Sequence, residues 1–179
     1  MDMIVDSDFI NHNTRFHNFN KPLDGWDVSS VINMRFMFAG TKYFNQQLNA
    51  WNVSQVTDMA GMFSRAPNFD QPLNQWKVDS VTDMNYMFQG STKFNKNINA
   101  WNVKKVTGMI AMFNEAANFD QPLNSWNVSN VTSLESMFDK ANNFNKPLNA
   151  WNVGEVINMT WMFYKASNFN QDLNGLGIT

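Results

Sequence analysis

Trp26, Trp51, Trp76, Trp101, Trp126 and Trp151 stand 25 residues apart, with no insertion or deletion between them. A unit of this size cannot bury its own apolar side, so successive units must stack and share one continuous core. The consensus reads W-N-V-x-x-V-T-x-M-x-x-M-F-x-x-A-x-x-F-N-x-P-L-N-x. The composition follows from it: 11 of the 13 Met fall in the columns of Met59 and Met62, and 13 of the 16 Phe in those of Phe63 and Phe69.

The phase runs through the whole chain, which reads as a single domain over residues 1–179. Residues 1–25 form a divergent first repeat, 26–175 six regular repeats, and 176–179 a truncated final strand. Within a repeat, Leu48, Trp51, Val53 and Val56 give L-x-x-W-x-V-x-x-V, in which Trp51 and Val53 alternate with Asn52 at the period of a short half-buried strand. Thr57 precedes Met59, Met62, Phe63 and Ala66, spaced i, i+3, i+4 and i+7, which predicts a short helix with Thr57 as its N-cap. Asp58 and Asp83 are expected in the first turn of that helix, with Asn33 and Asn158 capping where the neighbouring residue is Ile. The segment around Phe69, Pro72 and Leu73 reads as an extended return. The expected fold class is therefore α/β: a right-handed, leucine-rich-repeat-like solenoid, with parallel strands on a concave face and short helices on the other.

The run L-x-x-W-x-V-x-x-V resembles the strand motif of leucine-rich repeats. The full unit, as in WNVSQVTDMAGMFSRAPNFDQPLNQ, resembles the repeat of BspA-like surface proteins and of the related mycoplasma lipoprotein-type repeat family of unknown function. The resemblance extends from about Phe19 to Leu173. It implies a surface-exposed or secreted protein, with relatives in protists and large DNA viruses, acting in adhesion and protein recognition, and it brings no catalytic residue. Unlike the surface members of that family, this sequence shows no signal peptide and no lipobox Cys, which fits a virion or intracellular setting.

Composition narrows the function. The formal charge is -2, from 13 basic and 15 acidic residues, so nothing draws the chain to nucleic acid or anionic lipid. With no Cys, disulfides, thiolate metal sites and a Cys nucleophile are excluded. No run of about 18 apolar residues exists for membrane insertion. The two histidines, His12 and His17, both lie in the divergent first repeat, and the carboxylates Asp58, Asp83, Glu115 and Glu135 are scattered, so no acid and base pair is set up and the chain reads as a non-enzyme.

The column Asn20, Asn45, Asp70, Asn95, Asp120, Asn145 and Asn170 offers one mostly neutral oxygen donor per repeat, which argues for a hydrogen-bonded ladder rather than a calcium site. No metal or cofactor is called for. The Thr column of Thr57, Thr82, Thr107 and Thr132 is read as helix caps rather than an ice-binding array. The candidate binding residues are the variable positions of the predicted strand face: Asp27, Asn52, Lys77, Asp79, Asn102, Lys104, Asn127 and Asn152. Their chemistry suits a protein or glycan partner. A second candidate is the C-terminal end, where Phe169, Leu173, Leu176 and Ile178 close the sequence pattern without a polar cap and are expected to mediate self-association. The alternative function is a structural component of a larger assembly, such as a virion or surface layer.

Overall fold

The computed structural model describes residues 17–176. The first part of the divergent repeat, with His12, and the end of the truncated strand, with Ile178, lie outside the described residues. The 25-residue units stack as coils, each lying on the next, but not as an α/β leucine-rich-repeat-like solenoid. Among the described residues the one regular helix is the short 3-10 turn Asn174–Leu176. Parallel pairing is reduced to single bridges joining Asn33, Asp58, Asp83, Gly108, Ser133 and Asn158 in succession.

The predicted helix is a run of overlapping turns, and the reason lies in where its amides go. Met62, Ser64 and Ala66 donate back to the carbonyls of Met59, Gly61 and Phe63, closing three-residue steps. Met59, Gly61, Phe63 and Arg65, the amides in between, donate sideways to Asp83, Asn85, Met87 and Gln89 of the following coil, at 2.6–3.0 Å. A helix needs those same amides for its own i to i−4 bonds, so the lateral bonds and the helix are mutually exclusive. The third residue of a step in this run has positive φ, as in a type II turn: Gly61 and Arg65 in one coil, Tyr86 and Gly90 in the next. The left-handed conformation costs a non-glycine residue about 1–2 kcal/mol, and residues as bulky as Phe36 (φ 55), Tyr86 (φ 59) and Trp161 (φ 58) adopt it. The lateral hydrogen bonds of the run offset this strain.

The predicted strand fails for a related reason. Trp51 N–H closes a turn on Leu48 and Val56 N–H closes one on Val53, which leaves these amides nothing to offer a ladder. The indole takes over the connection, as Trp76 Nε1 donates to Leu48 O of the preceding coil at 2.9 Å and Trp101 Nε1 to Leu73 O at 3.0 Å. The Thr residues are not helix caps either. Thr57 Oγ1 donates to Ile32 O, and Thr82 Oγ1 to Thr57 O, each one coil back. Asn33, Asp58, Asp83 and Asn158, read above as first-turn or capping residues, instead accept the backbone N–H two residues on, which makes Asx turns. Without strand and helix layers of unequal width, the reason to expect a concave strand face lapses.

The core is made of the columns that define the repeat. Met59, Met62, Phe63, Phe69, Leu73 and Trp76, and their equivalents through the middle coils, are buried. Phe63 stacks on Phe69 of its own coil at 4.0 Å between ring centres and on Phe88 of the next at 5.6 Å. Phe69 stacks on Phe94 at 6.0 Å and Trp76 on Trp101 at 6.3 Å. Two lines of Phe rings and a line of indoles therefore run along the stack in nearly parallel planes, a geometry in which each aromatic pair adds about 0.5–1.5 kcal/mol to the burial itself.

Replacing Phe88 by Ala should destabilise the chain by about 3–5 kcal/mol in urea unfolding, because its ring meets aromatic partners in its own coil and in both neighbours. A loss below about 1 kcal/mol would contradict this packing. The far-ultraviolet circular dichroism of the native chain should lack a helical signature.

Candidate recognition surface

One side of the stack carries the column Asp27, Asn52, Lys77, Asn102, Asn127 and Asn152, all exposed. Five of the six are fixed by the same local bond: the side-chain oxygen accepts the N–H two residues on. The donors are Ser29 N–H to Asp27 (3.0 Å), Ser54 N–H to Asn52 (3.2 Å) and Lys104 N–H to Asn102 (3.3 Å). Asn127 and Asn152 accept from Ser129 and Gly154 at 3.1 Å each. Two hydrogen bonds from Ser29, side chain and then backbone, hold the Asp27 carboxyl below the ordinary carboxylate range. Lys77 stands in the column without such an oxygen, and Asp79 beside it accepts from Asn102 Nδ2 of the next coil at 2.7 Å. The structure therefore brings Asp27, Asn52, Lys77, Asp79, Asn102, Lys104, Asn127 and Asn152 to one side. A shallow groove of about 400 Å³ crosses it, floored by Ser125, Asn127 and Ser129 of one coil and Ala150 and Asn152 at the next.

Elsewhere the column Asn20 to Asn170 forms a ladder from side chain to backbone. Asn45 N–H donates to Asn20 Oδ1, Asp70 N–H to Asn45 Oδ1 and Asn95 N–H to Asp70 Oδ1, and the pattern continues to Asn170, all at 2.9–3.0 Å. The residue after the ladder position in the following coil is matched in charge. Where the ladder residue is Asp, the follower is Lys: Lys96 Nζ lies 2.7 Å from Asp70 Oδ2, and Lys146 Nζ 2.7 Å from Asp120 Oδ2. Where it is Asn, the follower is Gln: Gln46, Gln121 and Gln171 donate to Asn20, Asn95 and Asn145 at 2.8–2.9 Å. This matching was legible in the sequence as Asp and Lys 26 residues apart. The carboxylates are thus satisfied by protein donors, and among the described residues no cluster of three or more His, Cys, Asp or Glu is placed to hold a metal ion.

A third line, Ser64, Gln89, Asn114 and Asp139, links successive coils through side chains: Ser64 Oγ donates to Gln89 Oε1, Gln89 Nε2 to Asn114 Oδ1, and Asn114 Nδ2 to Asp139 Oδ2. It leaves Asp139 Oδ1 buried without a partner. Burial raises the Asp139 carboxyl above its ordinary value, opposed by Lys140 and reinforced by Glu115. The sequence reading also missed the large apolar side chains that the last coil exposes. Ile157, Trp161 and Tyr164 lie open, whereas Phe169 and Leu173 are half-buried against the core and Leu176 is buried. The signal was present, since Ile157 stands in a column that reads Thr from Thr57 to Thr132.

Residues 7–111 and 95–178 match, in two stretches, the pattern of the family described as Mycoplasma protein of unknown function, DUF285. No curated protein and no solved structure matches the chain. Among the described residues, no helix is long and apolar enough to cross a membrane.

Lys96→Gln strands the Asp70 charge, and adding Asp70→Asn restores a neutral pair of the type found at Asn95 and Gln121. A double-mutant cycle by urea unfolding should give a coupling of roughly 0.5–1 kcal/mol, modest because both groups are about one third exposed. No coupling would mean that the matching plays no energetic part. The raised Asp139 pKa means that the folded state holds this proton more tightly than the unfolded chain. Its contribution is most favourable below the ordinary carboxylate value of 3.8 and is lost as pH rises through the folded-state pKa. Asp139→Asn should therefore raise the thermal midpoint at neutral pH relative to the native chain, an advantage that shrinks on acidification below that value. A constant difference across the range would show that Asp139 is ionised with no penalty.

Proposed function

The chain belongs to the Mycoplasma family of unknown function DUF285, and from the geometry of its Asx-lined side we propose a non-catalytic recognition module that binds a protein or glycan there. One observation carries this reading. In Asn52, Asn127 and Asn152 the side-chain oxygen is spent on the local turn, while the amide Nδ2 makes no hydrogen bond among the described residues. The bound oxygen fixes the rotamer, so the face presents hydrogen-bond donors at coil spacing that need little further ordering when a partner docks. Lys77 and Lys104 are exposed on the same side and add two cationic donors. The complementary partner is rich in acceptors: the carbonyls and carboxylates of a protein loop, or the oxygens of a glycan. The stacked core beneath provides a rigid base. A second reading, a structural part of a larger assembly, draws on the exposed Ile157, Trp161 and Tyr164 of the last coil.

Asn127→Asp with Asn152→Asp retains the oxygen that closes each turn and removes only the outward donors. Binding of the labelled chain to arrays of glycans and of cell-surface proteins should fall about tenfold or more in this variant, because each lost hydrogen bond costs roughly 0.5–1.5 kcal/mol. The thermal midpoint should not change. Binding that survives the double substitution would mean that this side is merely solvated.

A further inference from the structure

Three lysines stand together on the Asx-lined side with their charge unspent. Lys77, Lys104 and Lys105 are exposed, and none has a carboxylate within salt-bridge reach among the described residues, whereas Lys96, Lys140 and Lys146 each hold one at 2.6–2.7 Å. Lys104 and Lys105 are the central residues of a turn that Val106 N–H closes on Val103 O at 2.9 Å. That turn is tied to the coils on both sides of it. Asn130 Nδ2 donates to Lys104 O at 2.7 Å, Lys104 N–H to Asn102 Oδ1 at 3.3 Å, and Asn102 Nδ2 to Asp79 Oδ1 at 2.7 Å. Asn102 spends its amide nitrogen, unlike Asn52, Asn127 and Asn152, because only here does a carboxylate stand 23 residues earlier. The same relay occupies one oxygen of Asp79, the carboxylate that stands among the lysines.

We infer that the partner of this side is an acidic segment of a protein, whose carboxylates lie over Lys77, Lys104 and Lys105 and whose backbone carbonyls reach the Asn127 and Asn152 amides in the adjoining groove. The inference rests on the recognition role proposed above and names the class of its ligand. The first reason is charge. Three cations face one carboxylate there, on a chain whose formal charge is -2. The exposed carboxylates Asp27 and Glu155 stand further out on either side, so an anionic segment is held over the middle coils rather than along the whole stack. The second reason is the sense of the hydrogen bonds. The side-chain oxygens of Asn52, Asn102, Asn127 and Asn152 already accept backbone N–H groups, so the column offers chiefly donors. An ionised carboxylate only accepts, whereas each sugar hydroxyl brings a proton that needs an acceptor of its own. The third reason lies under the groove. Trp126 is buried there with Nε1 committed to Ile98 O at 3.1 Å, so its ring offers no face for a sugar to stack on. The tied turn holds Lys104 and Lys105 on a fixed backbone, which lowers the cost of ordering them on binding.

A fluorescent synthetic peptide of alternating Glu and Gly is the probe, and its counterpart of Gln and Gly is the uncharged control. By fluorescence anisotropy at about 20 mM salt the native chain should bind the Glu peptide at least about tenfold more tightly than the Gln peptide, and most of that difference should vanish at about 200 mM. Lys77→Gln with Lys104→Gln and Lys105→Gln should weaken the Glu peptide at least about tenfold, while the same change of charge made elsewhere, Lys21→Gln with Arg65→Gln and Lys93→Gln, should leave it within about twofold. Asp79→Asn keeps the oxygen that Asn102 binds and should tighten the Glu peptide about threefold, a gain that a folding defect cannot produce. No preference for the Glu peptide, or an equal loss in both triple variants, overturns the proposal. So does tighter binding of a sulfated glycan or of single-stranded DNA that the Lys77, Lys104 and Lys105 substitutions abolish, which would make the ligand a polyanion of another class. If the Glu peptide fails while array binding still falls with Asn127→Asp and Asn152→Asp, the acidic class alone is wrong; if both fail, the recognition role falls with it.

Discussion

The lateral hydrogen bond from the turn run to the next coil is the interaction on which the rest of the structure depends. It accounts for the absence of a helix where apolar spacing alone calls for one, because the amides at Met59, Gly61, Phe63 and Arg65 cannot serve two acceptors at full strength. It also accounts for the strained backbone. Residues such as Tyr86 and Trp161 hold a conformation usual for glycine because it turns alternate N–H groups out of the coil. In a single unit this conformation has no return, since the acceptor lies 24 residues further on. The stack and the local geometry therefore stabilise each other, and neither is stable alone.

The side-chain columns follow from that backbone register. Because each coil repeats the path of the last, Phe meets Phe, indole meets indole, and Asn meets the amide of the next Asn or Asp. The aromatic columns are satisfied by any neighbour of the same kind, and so they give stability without saying which coil follows which. The ladder discriminates more finely. Setting Lys96 over an Asn, or Gln121 over an Asp, would strand a charge or forgo an ion pair, so the pairing gives a polar preference to the order of the coils. Its energy is small per site at this exposure, and the effect accumulates along the stack.

The repeat, its phase and the buried columns were legible in the sequence, because burial follows from residue type and the period is free of insertions. The local conformation was not legible, and the reason is specific. Met59, Met62, Phe63 and Ala66 would fall on one face of a helix, but the run of overlapping turns buries the same four side chains, so apolar spacing cannot separate the two. What separates them is the acceptor of every second amide, which lies outside any local window. The same blindness affects Thr57, whose hydroxyl chooses a carbonyl one coil back over the amides ahead of it. The Asx-lined side was chosen from the sequence as a variable polar column, and the structure adds that its oxygens are spent while the amide nitrogens of Asn52, Asn127 and Asn152 make no hydrogen bond among the described residues.

Two faces with different chemistry result from one construction. Along the side of the stack, Asx turns repeat at coil spacing and can vary without disturbing the core, since their bonds are made within two residues of themselves. In the turn runs nothing is so insulated, because alternate amides there belong to the bond system that joins one coil to the next. A substitution on the side changes what the molecule touches, whereas one in a turn run changes what the neighbouring coil can be. A Cβ added at Gly61 would run into the Phe36 ring, and so even the size of a turn-run residue is set by the coil before it.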